Sequence, residues 1–220
     1  MKKNIYVSVS TDPVGGYQEI LDYAKEIQSY ADYLHCDVMD GNFVQKFTYD
    51  ENLIKNINNI SLIMLDVHLM VSEPLNYIEK YIEAGANMVT VHYEAFSNKQ
   101  DVVRAIKLIK RKGALAGLSI KPETPFKEIK PYAYDLDLLL IMSVEPGASG
   151  QKFIPETLEK IKTINKFREE NSLSFKISVD GGVNKDNAKQ LIDCGVDILV
   201  SGNYVYKSSN REQAIKELKN

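Results

Sequence analysis

Apolar and polar positions alternate on two scales along this chain. Short runs rich in Val, Ile and Leu recur at Ile5–Val9, Tyr33–Val38, Leu62–His68, Met88–His92, Ala114–Ile120, Leu138–Met142, Phe175–Asp180 and Ile198–Val200. Runs of this length and composition predict buried β-strands. Between them, apolar residues fall at helical spacing: Ile20, Ala24, Ile27 and Ala31; Val102, Ile106 and Ile109; Leu158, Ile161 and Ile164. The punctuation agrees. Pro155 is placed to open one helix and Asn184 to cap another. Gly85, Gly113 and Gly195 each follow an amphipathic stretch and precede a strand, where a helix C′ glycine belongs.

Strand-like and helical segments alternate without a break in composition. This predicts an α/β chain of the (β/α)8 TIM-barrel type, one domain over residues 1–220. The rival is an open doubly wound sheet. Against it, no G-x-G-x-x-G follows the first run, where a dinucleotide fold needs it.

Composition then narrows the partners. Lys and Arg total 27 against 30 Asp and Glu, a net charge of −3, so no basic footprint for nucleic acid is expected. No apolar run reaches membrane-spanning length. The start, MKKNIYVSVS, turns strand-like at once and lacks the pattern of a signal peptide. A cytoplasmic protein is expected, with Cys36 and Cys194 as reduced thiols. Cys36 lies between His35 and Asp37, so it faces away from both and reads as core.

The chemistry lies in the polar residues inside the strand-like runs. His35 and Asp37 are two apart in one run, and Asp66 and His68 two apart in the next. In a strand, residues i and i+2 share a face. Asp180 ends FKISVD, just before Gly181-Gly182. Two His and two Asp at three strand ends can hold one divalent metal in mixed oxygen and nitrogen coordination, and the same Asp residues can move a proton. Bland readings compete. A lone strand-end Asp usually caps or braces a loop, and Asp40, followed by Gly41, fits that role. A lone His is more often structural, but His35, His68 and His92 have carboxylates close by, which favours a site. Asp66 lies a layer deeper than His68 and reads as a supporting hydrogen-bond partner. No H-E-x-x-H is present, so any ligands come from separate strands.

In a barrel, strand C-terminal ends and the loops after them carry the chemistry. Ser10, Asp37, His68, His92, Asp180 and Gly202 fall at or just beyond predicted strand ends, with His35 one inward step below Asp37. Glycine-bearing loops follow the last three runs: Val144–Gln151, Asp180–Asn184 and Ser201–Tyr204. They read either as tight turns or as a cradle of backbone N–H groups for a phosphate. Met39, Met70 and Met142 read either as barrel-top packing or as an apolar lid over a reacting centre.

The segments HCDVMDGNFV, LDVHLMVSEP, MSVEPGASGQKFIP, SVDGGVN and VSGNYVY resemble the ribulose-phosphate 3-epimerase family over nearly the whole chain, from Ile5 to about Tyr206. The resemblance implies a ribulose-phosphate-binding barrel that interconverts D-ribulose 5-phosphate and D-xylulose 5-phosphate in the pentose phosphate pathway. It implies one divalent metal ion (Zn, Fe, Mn, Co or Mg) on His35, Asp37, His68 and Asp180, with Asp37 and Asp180 as the acid/base pair. Ser10 and His68 would touch the substrate. Gly147, Ala148, Ser149, Gly150, Gly181, Gly182, Gly202 and Asn203 would surround it and its phosphate. The expected partner is a small sugar phosphate, and a homo-oligomer is expected. Four loops depart from the family pattern, the first of them, V-S-V-S-T-D, keeping Ser10 but unusual just before it. The family's P-G-F-G-G-Q is here Pro146-Gly147-Ala148-Ser149-Gly150-Gln151, its G-H-F-V-P-N is Gly41-Asn42-Phe43-Val44-Gln45-Lys46, and its G-S is Gly202-Asn203. The changes spare the acid/base and metal-type residues and touch the substrate loop.

Three rivals stand beside this reading. An epimerase of a six-carbon ketose phosphate, such as allulose 6-phosphate, is the nearest. A phosphate-barrel decarboxylase would need Lys where Asp66-Val67-His68 has His. A non-catalytic sugar-phosphate-binding protein has no need of four such side chains on one rim.

Overall fold

The computed structural model describes residues 4–12 and 15–219. Eight parallel strands close into a barrel in sequence order: β1 (Tyr6–Ser10), β2 (Tyr33–Met39), β3 (Met64–Met70), β4 (Met88–His92), β5 (Leu115–Ile120), β6 (Leu138–Met142), β7 (Lys176–Asp180) and β8 (Ile198–Ser201). Around them lie α1 (Tyr17–Ile27), α2 (Glu51–Ile60), α3 (Ile78–Glu83), α4 (Lys99–Arg111), α5 (Thr157–Glu170), α6 (Lys185–Asp193), α7 (Asn203–Tyr206) and α8 (Arg211–Leu218).

Alternation along each strand divides the interior into two zones. One set of residues, including Val9, Leu34, Val67, Val91, Leu118, Ile141, Val179 and Leu199, packs in one cluster with helix residues such as Ile27, Ile57, Ile109 and Ile161. That apolar shell between sheet and helices is the main core. The other set faces the barrel axis and is mixed: Ser8, His35, Asp66, His68, Thr90, Ser119 and Ser178 are all sealed from solvent, and Leu140 and Val200 pack apart from the main core. Gly117 has no room for a side chain there, because a Cβ would lie 2.2 Å from Thr90 Oγ1.

Helix ends follow local chemistry. Asn184 caps α6 by accepting from Asp186 N–H, and Asp50 and Asn98 cap α2 and α4 in the same manner. Gly85, Gly113 and Gly195 end α3, α4 and α6 with paired backbone bonds, for example Gly85 N–H to Ile82 O and Ala86 N–H to Tyr81 O.

Four expectations need correction. Leu62 is 91 % exposed and precedes β3, which starts at Met64 and runs on to Met70. β2 likewise runs on to Met39. Asp37 and His68 therefore sit one inward step below the strand ends, with Met39 and Met70 above them. α5 starts at Thr157, so Pro155 belongs to the preceding turn and its carbonyl accepts from Leu158 N–H. Finally, the β5–β6 crossover holds two 3₁₀ segments, Phe126–Glu128 and Lys130–Asp135, where the rhythm predicted an α-helix. Pro122, Pro125 and Pro131 each lack an N–H donor and disfavour the α-region in the residue before them.

Candidate active site

Strand register assembles the cluster. β2 and β3 pair His35 with Asp66, Asp37 with His68 and Met39 with Met70. His35 Nδ1 lies 2.8 Å from Asp66 Oδ2, which also accepts from Ser8 Oγ at 2.9 Å. His35 Nε2 lies 3.1 Å from Asp37 Oδ1, and His68 Nδ1 is 2.9 Å from the same oxygen. Asp180 Oδ2, at the end of β7, is 3.8 Å from His35 Nε2 and 4.0 Å from His68 Nδ1. One ligand atom from each of His35, Asp37, His68 and Asp180 falls within 4.8 Å of every other. Ser10 Oγ stands 3.4 Å from Asp37 Oδ2. The Thr48 hydroxyl donates to the Asp37 carbonyl and tethers the next loop to β2.

The electrostatics separate the two carboxylates. Burial raises the Asp37 pKa, but the charge and hydrogen bond of His35, and then His68, outweigh it and hold this carboxyl far below the usual range. Burial, and then the neighbouring Asp37 charge, push Asp180 up to about 6. Burial disfavours the His35 imidazolium, yet Asp37 and Asp66 prevail and raise its pKa well above the usual value. The principle is familiar for buried groups: desolvation works against charge, and close opposite charges work for it.

These four residues fit a divalent cation. Two carboxylates and two imidazoles converge on one point, an N₂O₂ donor set suited to zinc or a related metal. Asp66 fixes the His35 ring from behind, as carboxylates commonly do for metal-binding imidazoles. Asp37, Asp66 and Asp180 would otherwise crowd negative charge into a site of low polarity, which is costly.

A cleft of about 340 Å³ opens above the cluster. Ser10, Asp37, Met39, Met70, Met142, Gly147, Ala148, Ser149, Gly150, Asp180, Gly181, Gly182, Gly202 and Asn203 all border it. His35 and His68 lie beneath it, fully buried. Met39 and Met70 pack with Val44 on one wall, and Met142 with Val144 and Val200 on another. The loop after β6 is drawn together by Gln151, whose Nε2 donates to the carbonyls of Glu145 and Ala148. Gly182 has φ +65°, and a Cβ there would lie 2.5 Å from Phe153 N, so the loops after β6 and β7 touch backbone to backbone. Asp40 holds its turn, accepting from Asn42 and Phe43 N–H and from Ser72.

Three charged residues near the site were not singled out from sequence. Asp12 borders the cleft and pairs with Lys46 at 2.8 Å. Glu94 accepts from His92 Nδ1 at 3.1 Å. Asp12 follows Ser10, and Glu94 follows His92, at the same i, i+2 interval that marked the strand pairs, but both lie past the strand ends where alternation no longer fixes direction.

Comparison with known proteins gives one consistent result. The family model described as "Ribulose-phosphate 3 epimerase family" matches residues 13–206. A ribulose-phosphate 3-epimerase of Bacillus subtilis is 42 % identical over 190 residues, 86 % of each chain. One from Aquifex aeolicus is 37 % identical over 193 residues, 88 % of this chain and 86 % of the relative. Among solved structures, a 3-keto-L-gulonate-6-phosphate decarboxylase from Vibrio cholerae superposes with TM-score 0.75 over 98 % of this chain and 96 % of its own, at 12 % identity. A Pyrococcus furiosus tryptophan synthase α-subunit gives 0.69 over 99 % and 98 %, at 14 %. At such identities the structural matches speak for the barrel fold alone.

Proposed function

Because the chain belongs to the ribulose-phosphate 3-epimerase family, we propose that it interconverts D-ribulose 5-phosphate and D-xylulose 5-phosphate, with Asp37 and Asp180 as the proton-transfer pair. The observation that carries this reading is the meeting of those two carboxylates, from β2 and β7, over one His/Asp cluster in unlike electrostatic settings. β2 and β7 stand three steps apart around the ring, so their side chains approach from different sides.

Epimerisation at C3 requires removal of a proton beside the C2 ketone and its return to the opposite face. One carboxylate must accept while the other donates. Asp37 is the group held ionised, and Asp180 titrates nearer neutrality. The Ser10 hydroxyl, beside Asp37, would orient the sugar. The buried methionine walls exclude water from the reacting carbon. A divalent cation on His35, Asp37, His68 and Asp180 would act as a Lewis acid toward the negative charge that develops on the substrate oxygens. A cytoplasmic homo-oligomer is part of the same reading; among the described residues, no helix is long and apolar enough to cross a membrane.

The substrate phosphate is assigned to backbone donors around Gly182, Gly202 and Asn203, with Gly147–Gly150 closing over it. Gly182→Ala would force the loops after β6 and β7 apart. It is expected to lower kcat/KM about 10- to 100-fold, mainly through KM. An unchanged KM, or a bound ketose phosphate with its phosphate elsewhere on the barrel, would overturn the placement.

Substrate size is the second test. Ala148 lies at the cleft where the family pattern has Phe, which leaves that wall thinner. Ribulose 5-phosphate is expected to be preferred, with measurable turnover of allulose 6-phosphate. Pockets discriminate one carbon unit only by roughly 10- to 200-fold. Comparing kcat/KM for the two decides it: a preference for the hexose phosphate would reverse the substrate assignment.

A further inference from the structure

His92 and Glu94 take no part in the chemistry above, yet both are tied to it. His92 is fully buried at the end of β4. Its Nε2 lies 2.9 Å from His68 Nε2, and its Nδ1 lies 3.1 Å from Glu94 Oε2. Two imidazole nitrogens this close require that one donate and the other accept.

The direction follows from the far end of the chain of bonds. Glu94 Oε1 accepts from Lys121 N–H at 2.8 Å and from Thr124 Oγ1 at 2.5 Å. The carboxylate is thus an acceptor throughout, and His92 Nδ1 must carry the hydrogen that faces it. A neutral His92 then offers only a lone pair at Nε2. His68 Nε2 must donate to that lone pair, so a His68 that gives up its Nδ1 proton to a cation carries its own lone pair on Nδ1. That nitrogen is the one facing Asp37 and Asp180.

Packing holds the relay in place. The Phe43 ring lies 4.8 Å from His92, and the Lys121 ammonium lies 4.9 Å over Phe43. Lys160, on α5, donates to the carbonyls of Lys121, Pro122 and Thr124 and so pins the segment that grips Glu94. His35 has a carboxylate directly behind it in Asp66. His68 reaches its own only through His92.

We propose that His92 and Glu94 are positioning residues that set the tautomer and aim of His68 for cation binding. This rests on the metal site proposed above. Hydrogen-bond partners behind metal-binding imidazoles typically change affinity by about 10- to 100-fold when removed.

Co²⁺ titration of chelator-stripped protein, followed by visible absorption, tests the relay apart from catalysis. Wild-type protein is expected to bind Co²⁺ at this site. His92→Leu cannot accept from His68 and is expected to bind about 10- to 100-fold more weakly, with an altered absorption band. His92→Gln offers an amide oxygen and should recover most of the loss. Glu94→Ala, two bonds removed from the site, should also weaken binding and serves if His92→Leu fails to fold. Unchanged affinity and spectrum in Glu94→Ala, or equal losses in His92→Leu and His92→Gln, would overturn the relay while leaving the metal site standing. Wild-type protein that takes up no Co²⁺ would overturn the site itself, and the relay with it.

Discussion

Asp37→Asn and Asp180→Asn are each expected to abolish epimerisation, with kcat/KM falling at least about 10²- to 10⁴-fold. The fold should survive, because Asn is nearly isosteric and the apolar shell around the barrel is untouched. The two-carboxylate mechanism also makes a finer statement. Each variant retains one carboxylate, on one face of the substrate. In heavy water, each should therefore retain some exchange of the C3 proton in only one of the two epimers, and the two variants should favour opposite epimers. Near-wild-type turnover in either variant would remove that Asp from the reaction. Exchange retained for the same epimer in both would show that the carboxylates do not divide the two faces.

Stripping the protein of metal with a chelator is expected to remove nearly all activity, and a divalent cation should restore it. The pH dependence of binding gives the sign. Cation binding must displace protons from its ligands, so affinity falls as pH falls. Burial lowers the His35 pKa, but Asp37 and Asp66 outweigh it and raise it well above the usual value, so a cation must compete with a proton there. Asp180 adds a second proton once the pH drops below about 6. Proton release on binding should therefore grow as pH falls through about 6, so that the plot of log affinity against pH steepens on the acid side. Calorimetry in buffers of different ionisation enthalpy counts the protons. Full activity after verified chelation would exclude a metal-dependent mechanism.

The sequence made the site's lateral arrangement legible but not its depth. His35, Asp37, Asp66 and His68 could be grouped because side-chain direction in a strand repeats every two residues, whatever the rest of the chain does. Asp180 was legible from its place before Gly181-Gly182. That Asp37 and His68 lie inside the barrel was not, since strand ends depend on pairing with neighbours. β2 and β3 pair as far as Met39 and Met70. Asp12 and Lys46 meet across 34 residues of chain, a contact that follows from how two loops fold over the rim. The missing helix between β5 and β6 was open to view in Pro122, Pro125 and Pro131, but the regular βα rhythm on either side hid it.

Closure of the ring bears on how the molecule assembles. Three of the four clustered residues, His35, Asp37 and His68, sit on adjacent strands joined by the single crossover through α2. That unit forms through contacts much closer in sequence than the closing seam and can assemble before it, because the entropy of closure grows with the length of chain closed. Asp180, on β7 beside β8, reaches them when β8 pairs with β1, a contact that spans most of the chain. Such distant pairings are the slow part of folding. A partly folded chain would therefore carry an incomplete set of ligands, and a cation able to recruit all four would favour the closed ring over every open form. In that sense it would act as a clasp on the last seam to close, stabilising the late folding steps as well as the reaction.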